Sequence, residues 1–208
     1  MNKKLISLVL ALILTLSFGA AFAANSPSVS PSTSPTVNVS ATVSSTNATL
    51  PAEFLATIPQ PSEASEAEIA FANEVLAKIK AFVSENGLPV VEYFGFDVRA
   101  AISEKIPADM AVEDLALREF CALPLNAMAA AYDPAYGDIT IQMSFAVGFD
   151  AGDVVVPVLG IGDSATGEIT WIALDAVVNA EGLVEITFTE DVFAQIEESD
   201  ITVLAILA

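Results

Sequence analysis

Asp138-Ile-Thr-Ile-Gln-Met-Ser-Phe-Ala146 is the stretch that decides the fold class. Ile139, Ile141, Met143 and Phe145 fall on one face of an extended chain, and Thr140, Gln142 and Ser144 on the other. A period of two sets one face on a core and the other toward water, which is a strand. The pattern repeats downstream. Asp150-Ala-Gly-Asp153 reads as a turn, and 154–161 as an apolar run of the kind buried on both faces of a sheet. Gly162-Asp163 and Gly167 make the next turn, and 169–174 is a strand containing Trp171. Ala180-Glu-Gly182 turns into 183–187, where Val184, Ile186 and Phe188 alternate. Thr189 is placed to cap a short helix over 190–197, and 201–207 is a last apolar strand. Short strands divided by Gly/Asp turns predict an antiparallel β-sandwich of Ig-like type.

Upstream the period lengthens. Ser65-Glu-Ala-Glu68 fits a capping box. Ile69, Ala72, Leu76, Ile79 and Val83 then form one stripe of an amphipathic helix over 65–86, ended by Asn86-Gly87 and Pro89. The spacing predicts a strand over 89–94 and a short helical or irregular stretch near 97–104, while 114–120 fits helix or strand. The fold class expected is therefore α+β, with the helix packed on or beside the sandwich. One folded domain spans 51–208, its β-rich part beginning near 89.

Residues 24–50 differ in kind. Ser, Thr and Pro supply 16 of residues 25–50, with no charge, so the segment reads as a disordered linker. Val37, Val39, Ala41 and Val43 alternate, which makes a short strand the competing reading. Residues 1–23 read as a secretory signal peptide: Lys3 and Lys4, an apolar run over 5–16, and Ala21-Phe22-Ala23 before the cleavage point. Secretion, with or without display on the cell surface, is the expected localisation, and no transmembrane segment is expected in the mature chain.

Charge excludes more than it assigns. Seven Lys+Arg face 27 Asp+Glu with no histidine, a net −20. Lys3 and Lys4 lie in the signal segment and no acid precedes Glu53, so the remainder carries −22. Such a surface repels phosphate backbones, so nucleic acid is not a partner. Without histidine there is no Ser-His-Asp or Cys-His catalysis and no imidazole-held metal. Cys121 is the only cysteine and reads as a small buried hydrophobe.

Val90-Val-Glu-Tyr-Phe94, Tyr136-Gly-Asp138, Gly152-Asp-Val-Val-Val156, Thr170-Trp171 and Gly182-Leu-Val-Glu-Ile-Thr-Phe188 together span about 120 residues. In these stretches the chain resembles uncharacterised modules of exported and surface proteins of Gram-positive bacteria. The resemblance implies a surface module and brings no catalytic residues.

Four chemistries are open to these residues. Facing carboxylates could serve glycoside hydrolysis, but Glu190-Asp191 and Glu197-Glu198 look like solvated helix faces. Asp133 with Asp138, and Asp150 with Asp153, offer two carboxylates each, and both pairs read as turns rather than calcium loops. Tyr132 and Tyr136 flank a loop in the manner of a sugar-stacking platform, against a reading in which they cover the core. The apolar runs 154–161 and 201–207 would attract a peptide if they stood at a sheet edge. The expectation is a non-catalytic adhesion, binding or structural module without cofactor or metal, whose partner is a cell-surface protein or polysaccharide. The alternatives are a small glycan-binding protein using Tyr132 and Tyr136, then a carboxylate-only secreted enzyme.

Overall fold

The computed structural model describes residues 35–47, 49–163 and 166–208, so the expected signal peptide over 1–23 and residues 24–34 of the expected linker lie outside the described residues. Eight strands form: β1 Thr42–Ser45, β2 Leu117–Ala122, β3 Ile139–Ser144, β4 Val156–Gly162, β5 Ile169–Ala173, β6 Asp175–Val178, β7 Val184–Phe188 and β8 Ile201–Leu207. The helices are α1 Ala52–Leu55, α2 Glu66–Asn86, α3 Phe96–Lys105, α4 Asn126–Ala130 and α5 Glu190–Glu197. The strands make two antiparallel sheets, ordered β1-β3-β7-β6 and β2-β8-β4-β5.

Three layers follow from which strands alternate. In β3, Ile139, Ile141 and Met143 point inward while Thr140, Gln142 and Ser144 face out. With Val184, Ile186 and Phe188 of β7 they pack against Leu159, Ile161, Leu204 and Ile206 of the second sheet. The second sheet has apolar groups on its other face too. There Val156, Val158, Val203 and Ala205 meet Ala72, Val75, Leu76 and Ile79 of α2 and Ile102 of α3. Every residue of β4 and β8 is consequently buried. These continuous apolar runs are central strands between a sheet and a helical layer, not edges.

α2 begins as its sequence dictates. The Ser65 hydroxyl accepts from the Glu68 N–H, Glu68 accepts from the Ser65 N–H, and Gly87 closes the C-terminus at φ 63°. Glycines on β4 let the helical layer approach. A Cβ on Gly160 would lie 2.6 Å from the Trp171 ring, and one on Gly162 would lie 2.9 Å from the Phe71 ring.

Several expectations are corrected. Residues 90–94 form a 3-10 helix, Val90–Phe94, rather than a strand. Val90, Val91 and Phe94 are buried there while Glu92 is exposed, and a helical turn, not an alternating strand, allows that spacing. The ambiguous stretch divides into a 3-10 turn, Val112–Asp114, and then β2. β6 was not expected. It follows β5 after the single residue Leu174, at which the chain passes from one sheet to the other. Thr189 precedes α5 without a side-chain cap; its carbonyl receives the N–H groups of Val192 and Phe193.

The linker expectation fails over its second half. β1 pairs with β3, Ala41 and Val43 are buried, and Val37 bridges to Phe120. Ala41 and Val43 outweigh the Ser/Thr composition because β3 offers a free edge to pair with, whereas Val39 stays 43 % exposed. Gln60 then closes the outer side of β1. Its amide oxygen accepts the Val43 N–H at 3.0 Å, and its amide nitrogen donates to the Val43 carbonyl at 2.7 Å. A side-chain amide thus takes the place of a peptide unit in a fifth strand.

Candidate functional site

Tyr132 and Tyr136 stand at the end of α4, where a 3-10 turn, Pro134–Tyr136, is started by the Asp133 carboxylate accepting the Ala135 N–H. The turn fixes both rings. Tyr132 stacks on Phe193 of α5 with centroids 4.2 Å apart and planes at 19°. Tyr136 meets Phe54 of α1 edge-on at 5.3 Å. The two tyrosines are 6.4 Å apart at 85°, and the Tyr132 hydroxyl donates to the Gly137 carbonyl. They roof the end of the inter-sheet core and share no common plane. Burial raises the Tyr132 phenol above its ordinary range, reinforced by the negative charges of Glu190, Asp138 and Asp133.

Trp171 lies on the opposite side of the second sheet. Its ring sits 4.9 Å from Phe94 and 6.1 Å from Tyr93, and Tyr93 in turn meets Phe82 at 5.6 Å. Edge-to-face contacts lock this cluster between β5 and the helical layer, and burial raises the Tyr93 phenol. No spacing in the sequence joins residues 82, 93 and 171, which only the folded chain brings together.

The remaining chemical groups are held by the architecture. Cys121 is wholly buried in the inter-sheet core, and burial pushes its thiol up to about 12. Glu185 is held below the usual carboxylate range by hydrogen bonds from Gln142 and Asn179. Glu113 is lowered by its own backbone N–H and by Arg99, which also pairs with Glu92 at 2.9 Å and so ties α3 to the two 3-10 turns beside it. Lys78 is raised by Glu74 one helical turn away. Glu190, Asp191 and Glu197 of α5, and Glu198 just after it, are exposed. The Asp153 carboxylate accepts the Asp150 N–H across its turn.

Two open surface depressions carry polar groups. One, of about 520 Å³, runs between Ser65, Glu68, Phe71 and Glu74 of the α2 start and Asp200-Ile201. Its Glu68 belongs to the capping box and its Glu74 to the pair with Lys78. The other, of about 380 Å³, lies against the outer face of the first sheet. There the Thr140 and Thr187 hydroxyls bond at 3.2 Å, Gln142 donates to Glu185, and Lys105 reaches Asp175. This polar row crossing three strands was not singled out from sequence, because register, not spacing, assembles it. Among the described residues no group of three or more acids, cysteines or histidines could hold a metal ion, and no helix is long and apolar enough to cross a membrane.

Compared with known protein families, with curated proteins and with solved structures, the chain matches none.

Proposed function

We propose that this chain is a non-catalytic module that works outside the cell, in adhesion, binding or architecture. The observation that carries the reading is where displaced proton affinities occur. An active site gathers them in one cleft. Here Lys78, Tyr93, Glu113, Cys121, Tyr132 and Glu185 are scattered over the described fold, the shift of Lys78 tracing to its exposed pair with Glu74 within α2 and the others to burial or to hydrogen bonds with neighbouring groups. The signal segment and the resemblance to exported Gram-positive modules support work outside the cell. A polysaccharide or a surface protein is the partner this reading implies, and the outer face of the first sheet, with its aligned hydroxyl, amide and carboxylate groups, suits either.

The sandwich is Ig-like in the broad sense of two packed antiparallel sheets. Its connectivity is its own, since β1 and β2 lie in different sheets, whereas the Ig order sets the first two strands side by side.

The test is expression of the full chain in a Gram-positive host. The medium or cell surface is expected to yield a product whose mass begins at Ala24, and that product is expected to bind cell-wall material saturably. A chain found only inside the cell with its first 23 residues intact would overturn the extracellular reading. Binding that survives Tyr132→Ala with Tyr136→Ala would remove the aromatic loop as a glycan platform.

A further inference from the structure

We infer that the outer edge of β5 is a self-association edge, pairing antiparallel with β5 of a second copy. The ladder between β4 and β5 is bounded by two hydrogen bonds, Asp163 N–H to the Glu168 carbonyl and Leu174 N–H to the Pro157 carbonyl. Backbone groups alternate sides along a strand, so even-numbered residues from 168 to 174 face β4. Ile169, Trp171 and Ala173 therefore turn their N–H and C=O groups away from it. Among the described residues no hydrogen bond engages those six groups. In β6 the next odd residues, Asp175 and Val177, bond to β7. The open ladder is thus the straight continuation of the β6–β7 ladder, in the place that the chain vacates when it turns off into α5.

The other sheet edges are guarded. Gln60 covers β1 through Val43, the Asn38 N–H covers β2 at the Phe120 carbonyl, and the segment entering β4 meets β6 with the Gly152 N–H on the Val178 carbonyl. A guarded edge resists strand addition and an open one invites it.

A second copy is the occupant that the edge itself specifies. Ile169-Thr-Trp-Ile-Ala173 contains no charge and no proline, in a chain with 27 acids and a net −20. A two-fold axis at Trp171 sets Ile169 of one copy opposite Ala173 of the other and aligns all three open residues of each. That register forms six backbone hydrogen bonds without opposing like charges within the pair. Five residues a side is small beside the roughly 800 Å² per partner of a standard interface, so the dimer is weak. Each copy is strongly acidic, so salt strengthens it by shortening the Debye length from about 10 Å at 0.1 M to about 3 Å at 1 M.

Sedimentation equilibrium of the secreted chain, over rising concentration at both salts, is expected to show a monomer–dimer equilibrium at least tenfold tighter at high salt. Ala173→Pro removes one outward donor and puts a ring in the path of the second strand, while leaving the bonds to β4 intact. It is expected to abolish the dimer with the thermal midpoint kept. If that variant fails to fold, Ile169→Pro makes the same test, and hydrogen exchange on the unaltered chain is expected to show amides 169, 171 and 173 gaining protection with concentration. Phe96, 79 % exposed, controls for general stickiness, and Phe96→Ser is expected to leave the dimer unchanged. A monomer under all conditions, a dimer untouched by the proline variants, or a dimer lost with Phe96→Ser would each overturn the inference.

Discussion

Gly160→Ala tests the packing between the second sheet and the helical layer. The added methyl would lie 2.6 and 2.9 Å from two atoms of the Trp171 ring and 2.8 Å from Val203 Cγ2. Trp171 cannot swing aside freely, because Phe94 and Tyr93 meet its ring edge-to-face. Overpacking of this kind costs about 1–3 kcal/mol. The lost freedom of the unfolded chain returns about 0.4–1 kcal/mol, since no left-handed φ opposes alanine at this position. The net expectation is a loss of about 1–2 kcal/mol. For a chain of this size that lowers the melting midpoint by about 2–8 °C. Far-ultraviolet circular dichroism during thermal unfolding measures it. Trp171→Phe removes the part of the indole that the methyl strikes, so the double variant should be less destabilised than the two single ones summed, by about 1 kcal/mol. A Gly160→Ala midpoint equal to that of the unaltered chain, or strict additivity with Trp171→Phe, would refute the placement of the indole over β4.

Three further outcomes follow from named contacts. Cys121 should resist alkylation at pH 8 until the chain unfolds, followed by mass spectrometry, because its thiol is raised to about 12. A raised acid keeps its proton in the folded state while the unfolded chain loses it from about pH 8.5. Stability should therefore fall by about 1.4 kcal/mol per pH unit above that point, Tyr93 and Tyr132 adding in the same sense at still higher pH, and Cys121→Ala should lose the thiol's share of the slope. Gln60→Ala should cost about 1–3 kcal/mol in denaturant unfolding, since both backbone groups of Val43 lose their partner. A chain beginning at Pro51 should melt well below one beginning at Pro35, since it lacks β1, the buried Ala41 and Val43, and the Asn38 bond to the buried Glu119 carboxylate.

The elements that the sequence foretold are those whose partners are local or whose pattern is complete within one element. α2 carries its own cap, stripe and stop, and β3 carries its own alternation. The errors share the opposite property. Val90–Phe94 has strand-forming residues, and its helical turn comes from burying Val90, Val91 and Phe94 under α2 and against Trp171. β1 lies in a composition that could not fold alone; a distant strand, β3, and a distant side chain, Gln60, order it. β6 is hidden because a single residue separates it from β5. Of the site candidates, the two tyrosines were found by spacing, but their ring planes depend on Phe54 and Phe193, far away in sequence.

The same long-range logic gives the charge its meaning. With only five cations among the described residues, those that pair with distant acids act as fasteners: Arg99 joins α3 to the turns at Glu92 and Glu113, and Lys105 joins α3 to β6 through Asp175. Most of the other acids are exposed, and their like charge keeps copies apart. Such repulsion is strong wherever charge is dense and weak wherever it is missing. A charge-free strand with an open backbone ladder, on a body otherwise this acidic, is therefore where pairing meets the least opposition, and salt is the variable that should reveal it.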